Sequence, residues 1–81
     1  MKKFTLENAM IKAIQEFKRV NRNTKNSIRN IYSLEWCDGT NPNALFNIEF
    51  ADQNGDYYDF EIQIYIDHTE IRKIKSQYTT I

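Results

Sequence analysis

The 81-residue chain is short of the residues that staple, punctuate or catalyse: it has one cysteine, Cys37, one histidine, His68, one proline and two glycines. A single cysteine excludes an internal disulfide and suits a reducing compartment. Two glycines exclude a glycine-rich phosphate cradle, and one cysteine with one histidine leaves no zinc spacing. A hydrolytic site needs a nucleophile beside a base and an orienting group. The lone histidine falls at an element boundary, where a surface or capping role is expected, and Cys37 reads as a structural thiol. The run Asp52-Gln53-Asn54-Gly55-Asp56 matches a calcium loop only in part. The EF-hand pattern puts glycine sixth and glutamate twelfth, whereas Gly55 is fourth and Gln63 twelfth. The expectation is a protein that is not an enzyme and that takes no metal or cofactor.

Long apolar runs are missing too. No stretch approaches the ~18 apolar residues that a membrane span requires. Met1-Lys2-Lys3-Phe4 opens like a signal peptide, but Glu7, Asn8, Lys12, Gln15 and Glu16 interrupt any apolar segment. A single cytoplasmic domain without membrane contact is expected, and a chain of this length builds about one layer of helix on one sheet.

The third absence is of positive charge in the middle of the chain. Residues 31–70 hold nine acids and no Lys or Arg. The first thirty residues hold eight basic residues against two acids, and the last eleven add three basic residues. A net charge of zero therefore conceals a strongly dipolar molecule.

What the chain has in abundance is alternation. In residues 44–52 and 56–67 the even positions are large and apolar: Phe46, Ile48 and Phe50, then Tyr58, Phe60, Ile62, Ile64 and Ile66. The odd positions are mostly polar or acidic, as expected of strands with one buried and one wet face. Asn54-Gly55 advertises a two-residue hairpin turn. That register would place Phe50 opposite Asp59 and break the burial pattern, because facing residues share a side of the sheet. A three-residue loop, 53–55, with Gly55 left-handed in a G1 bulge, restores parity. It pairs Phe50 with Tyr58, Ile48 with Phe60 and Phe46 with Ile62 inside, and Glu49 with Asp59 outside.

Residues 5–20 predict an amphipathic helix, with Leu6, Met10, Ala13, Ile14, Phe17 and Val20 on the face that covers the sheet. Thr5 is the expected N-cap, with Phe4 stapled on Ala9. Residues 21–26 read as a basic loop. Residues 27–37 read as a first strand, with Ile28, Tyr32, Leu34 and Trp36 on one face and Arg29, Ile31, Ser33, Glu35 and Cys37 on the other. Residues 38–43 read as a turn. In segment 68–81, Asp67-His68-Thr69-Glu70 fits a helix start and Ile71, Ile74 and Tyr78 have helical spacing, with residues 79–81 frayed. A fourth strand through 71–75 is the rival. The expected fold is α+β, a helix on a three-stranded antiparallel meander (α-β-β-β) with either a short C-terminal helix or a fourth strand.

With a terminal helix, this order resembles the double-stranded RNA-binding domain, which implies RNA contact. The basic second helix and basic loop of that family have no counterpart here, and Trp36 and Phe60 read as inward-facing rather than as stacking platforms. The stretch 46–74, ending Tyr65-Ile66-Asp67-His68-Thr69-Glu70-Ile71, resembles the strand-and-turn ending of the PepSY domain, which implies a helix followed by antiparallel strands. The glycine usual after the threonine is Glu70 here, and the export signal is missing.

The functional expectation comes from the wet face. Glu35, Glu49, Asp59, Glu61 and Asp67, with Tyr57 and Tyr65, form an acidic, tyrosine-bearing surface suited to a basic protein partner. A nucleic-acid mimic of the kind found among small phage inhibitors is one version, and a homodimer would also cover the face. The alternative is a nucleic-acid-binding accessory protein, with Lys12, Lys18, Arg19, Arg22 and Lys25 as phosphate contacts. Direct nucleic-acid binding is the less favoured of the two.

Overall fold

The computed structural model describes residues 4–76. Helix α1 (Leu6–Val20) precedes four strands, β1 (Ser27–Cys37), β2 (Asn43–Ala51), β3 (Tyr57–Tyr65) and β4 (Thr69–Ser76). They form one antiparallel sheet in the order β1-β2-β3-β4. The fold is α+β, and the segment that could have been helix or strand is the fourth strand. The second helix implied by likeness to a double-stranded RNA-binding domain is therefore replaced by β4. The fraying expected at residues 79–81, and the helical position of Tyr78, lie outside the described residues.

Helix α1 starts where the capping rules place it. The Asn8 amide donates to Thr5 Oγ1 at 3.1 Å, Glu7 lies in the first turn, and Lys18 and Arg19 lie in the last. Ala9, Ala13 and Phe17, four residues apart, are the buried stripe. Two alanines let the helix approach the sheet closely, and Phe17 fills the space beyond them. Its ring meets Phe50 edge-on at 5.0 Å and Phe60 at 5.4 Å. Leu6 and Val20, expected on the packed face, are exposed. Phe4 stacks on Trp36, with ring centroids 5.1 Å apart, and packs against the core cluster to which Ala9 belongs.

The helix lies over β2 and β3, so the core sits there: Ala44, Phe46, Ile48, Phe50, Phe60, Ile62 and Ile64 are all buried. The β2–β3 register is the one that parity requires. Phe50 faces Tyr58, Ile48 faces Phe60, Phe46 faces Ile62 and Glu49 faces Asp59. The loop between them spans residues 53–55. The Asp52 amide donates to Asp56 O, the Gly55 amide donates to Asp52 O, and Gly55 has φ 85°.

Strand β1 departs from the expected two-faced pattern, because its register slips at Arg29 and again at Leu34. Ile28 faces Phe50 and Ile31 faces Ile48, so Ile31 joins the inner face rather than the outer. Tyr32 faces Asn47 on the outer face, and Trp36 faces Ala44 on the inner one. Each slip is a β-bulge that absorbs one extra residue. Strand β4 does the same: Ile71 faces Ile62 and Ile74 faces Phe60, with the slip between Glu61 and Ile62. An apolar pair three apart, read as helical, is thereby aligned with the core of a sheet.

Candidate functional site

Helix α1 covers one face of the sheet, and no described element packs on the other. The odd-numbered positions of β2 and β3 line this outer face, joined by Asn30, Tyr32, Glu35 and Cys37 of β1. Four of the expected carboxylates meet there. Glu35 is exposed on β1, and Glu49, Asp59 and Glu61 are half-buried on β2 and β3. Glu49 and Asp59 face each other directly, an arrangement that costs stability unless partners intervene. Two asparagines supply them. Asn30 Nδ2 donates to Glu49 Oε1 at 3.0 Å, and Asn47 Nδ2 donates to Asp59 Oδ1 at 2.9 Å.

The tyrosines sit at opposite ends of β3. The Arg29 guanidinium lies over the Tyr57 ring, 5.4 Å from its centroid. Tyr65 stacks on His68 at 4.4 Å. Asp67, expected on this face, lies instead in the turn after β3, because that strand ends at Tyr65 rather than 67. There Asp67 Oδ1 is 2.6 Å from His68 Nδ1, and Glu70 Oε2 is 3.5 Å from His68 Nε2. The hydrogen bond to Asp67 raises the His68 pKa, with desolvation opposing it, and the same bond lowers that of Asp67. His68 thus has a surface role, as a turn residue rather than a helix cap. Cys37 is exposed at the end of β1, not buried as a structural thiol would be.

Arg29 lies on this face, as the alternation expects. Sequence reasoning missed two features of it. Gln63, at an odd position, is 5 % exposed and donates to Asn43 Oδ1 at 2.8 Å. Strand β4 places Lys75 in register with Asp59 and Lys73 with Glu61. The signal for the last was available, since an apolar pair three apart fits a bulged strand as well as a helix.

The basic residues lie elsewhere. Lys18, Arg19, Arg22 and Lys25 are exposed and Lys12 is half-buried. The Arg19 guanidinium is held by Glu16 at 2.9 Å. The loop 23–26 and the turn 52–54 border a polar cleft of about 380 Å³. Asp52 organises that turn. Its Oδ1 accepts from the Asn54 amide at 2.9 Å and the Asp56 amide at 3.0 Å, and its Oδ2 from the Tyr58 hydroxyl at 3.1 Å. Desolvation is the largest single influence on Asp52 and raises its pKa, but the backbone donors and Tyr58 together carry it below the usual carboxylate range. Among the described residues no helix is long and apolar enough to cross a membrane. No family model, curated protein or solved structure matches this chain.

Proposed function

We propose that this chain is a non-enzymatic interaction module that presents the outer face of its sheet to a basic protein partner. Glu35, Glu49, Asp59 and Glu61 would make the charged contacts, with Tyr57 and Tyr65 at the margins. One observation carries the reading: a sheet covered on one side only, whose open side gathers four carboxylates on three adjacent strands. Asn30 and Asn47 support it, because they hold Glu49 and Asp59 in place before a partner arrives and so lower the ordering cost of binding. Tyrosine is enriched at interfaces, and complementary potential speeds encounter. Asp67 is no part of this surface, being turned to His68. The basic groove of a nucleic-acid-handling protein in the cytoplasm is the kind of partner this chemistry fits, and an inhibitor of phage-like type is the form of activity it suggests.

The second reading, an accessory protein that touches nucleic acid through Lys12, Lys18, Arg19, Arg22 and Lys25, rests on the exposure of all but Lys12 at the helix C-terminus and the loop beyond it. Titration with an arginine-rich peptide and with duplex DNA and RNA, followed by backbone amide shifts, separates the two. The proposal expects peptide-induced, salt-sensitive shifts on β1 to β3, abolished by the triple change Glu49→Lys, Asp59→Lys, Glu61→Lys. Shifts confined to residues 12–25 on adding nucleic acid, with no response to the peptide, would overturn it.

A further inference from the structure

The two edges of the sheet are not alike. Strand β4 carries Arg72, Lys73 and Lys75, the cationic residues that keep a free edge from pairing with another chain. Strand β1 is longer, at 11 residues, contains neither lysine nor proline, and is exposed at every position but the half-buried Ile28 and Ile31. It also holds a cluster of exposed large side chains: Tyr32 at 47 %, Leu34 at 49 % and Trp36 at 39 %. Helix α1 covers β2 and β3 and leaves this strand largely bare.

We propose that β1 pairs with the β1 of a second copy, antiparallel about a two-fold axis at Tyr32, joining two sheets into one of eight strands. The strand is complementary to itself. In this register the residue numbers of each pair sum to twice 32. Arg29 then faces the partner copy's Glu35, twice by symmetry, and Tyr32 faces its counterpart. Ile28 faces Trp36, Ile31 faces Ser33 and Ser27 faces Cys37. Within one chain Ile28, Ile31, Ser33 and Trp36 lie on the inner face, and Ser27, Tyr32, Glu35 and Cys37 on the outer. Arg29 lies over the outer-face Tyr57. Every one of these pairs therefore keeps like face to like face, as antiparallel pairing demands. Centring the pairing one residue later, on Ser33, sets Ile31 against Glu35 and fails that test.

The two bulges are part of the fit. Each shifts the alternation by one position, so Ile31 and Ser33 between them join Ile28 and Trp36 on the inner face, and the symmetric placement of the two bulges leaves the pairing parity intact. Glu35 makes no ion pair with the described residues of its own chain, so its charge is available to the partner's arginine. A two-fold contact of this kind closes at two chains, whereas pairing of β1 with β4 of the next copy would run on as a filament. The exposed Tyr32 pair and the Ile28–Trp36 pairs supply the aromatic and β-branched cross-strand contacts that stabilise sheets.

Sedimentation equilibrium over a concentration series, with cross-linking, tests this. The wild type is expected to pass from a 9.7 kDa monomer to a species of twice that mass. Glu35→Arg, which sets arginine against arginine, is expected to weaken association tenfold or more, and adding Arg29→Glu to it restores the pairing with the charges exchanged. Ser27→Cys is expected to form a disulfide with Cys37 of the other copy under mild oxidation. Wild-type Cys37 does not cross-link to itself, because the two thiols lie ten positions apart, about 33 Å along the strand. A folded protein that stays monomeric at millimolar concentration overturns the proposal. So does a double charge exchange that fails to rescue, or a Cys37–Cys37 dimer. Growth into filaments assigns the edge to β1–β4 pairing and overturns it as well.

Discussion

The central hairpin and the strands on either side of it belong to one sheet but solve the problem of burial differently. In β2 and β3 the apolar residues recur at every second position and the register between them runs without interruption. In β1 and β4 the residues in register with core positions come three apart, Ile28 and Ile31 on one side, Ile71 and Ile74 on the other, and a bulge in each strand reconciles that spacing with the pleat. The difference follows from the number of ladders. A central strand is hydrogen-bonded on both sides, so an extra residue would disturb two ladders at once. An edge strand has one ladder to disturb and a free side into which the chain can bow. Alternation is thus compulsory at the centre and negotiable at the edge.

Deleting one residue from a central strand and one from an edge strand should have opposite outcomes. Removal of Glu61 from β3 shifts Ile62 and Ile64 to the outer face and brings polar neighbours inside. The expected result is loss of the cooperative unfolding transition, read by circular dichroism and thermal melting. Removal of Leu34 from β1 leaves Ser33-Glu35-Trp36 alternating without a bulge in the register they already hold. That variant is expected to stay folded, within about 1 kcal/mol of the parent. If both deletions unfold the protein, the edge is as constrained as the centre.

Side-chain truncation sharpens the same contrast by degree. Phe60 is fully buried, on the central strand that meets Phe17, and Phe60→Ala is expected to cost ~3–5 kcal/mol in a denaturant titration. Trp36 is a larger side chain, yet its ring is partly exposed and rests on Phe4, so Trp36→Ala is expected to cost about 1–2 kcal/mol. Equal costs would mean that β1 is as much a part of the core as β3.

The same contrast decides how much of the fold was legible in the sequence. The β2–β3 pairing, down to the three-residue loop and the left-handed Gly55, followed from parity, because every side chain there votes for one register. The helix N-cap at Thr5 was equally readable, since capping is a local matter. At the edges the vote is split. Ile28 and Ile31, or Ile71 and Ile74, suggest a helical period when taken alone, and only the sheet they join decides otherwise. The acidic face was legible as a list of residues, but the register of β4 against it was not, because Lys73 and Lys75 come opposite Glu61 and Asp59 through a bulge. Asp67 was misplaced for a related reason: the alternation persists to Ile66 in sequence, whereas the strand stops at Tyr65, where the chain turns back through His68.

The two glycines make a smaller test of the same kind. Gly55 closes the central hairpin at φ 85°, and a methyl group there would meet open space. Gly55→Ala is therefore expected to destabilise through backbone conformation alone, by ~1–2 kcal/mol. Gly39, in the turn leading from the edge strand, also has open space and does not adopt the left-handed conformation. Gly39→Ala is expected to be neutral or to stabilise by up to ~1 kcal/mol, as the unfolded chain loses freedom.

The smallest effects distinguish the two turns of β3 by pH. At the central turn Asp52 titrates below the usual carboxylate range, because its backbone donors and Tyr58 outweigh desolvation. Its stabilising contribution is present above the unfolded carboxylate value of about 3.9 and is lost as pH falls through the lower folded value. At the turn into β4 the sign reverses. The bond to Asp67 raises the His68 pKa above its ordinary value of about 6.5, so that contribution is fully present below 6.5 and is lost as pH rises through the folded value. Stability should therefore erode at the acid end through Asp52 and Asp67, and as pH rises through the raised folded value of His68 at the edge turn. An NMR titration of the His68 ring is expected to give a midpoint above the ordinary histidine value. Asp67→Asn is expected to return it toward that value and, because the same bond lowers the Asp67 pKa, to shift part of the acid limb, whereas Asp52→Asn should shift the acid limb and leave the His68 midpoint in place. A wild-type His68 that titrates like a free histidine would mean that the 2.6 Å contact with Asp67 is not held in solution, and that the turn into the edge strand is as negotiable as the strand itself.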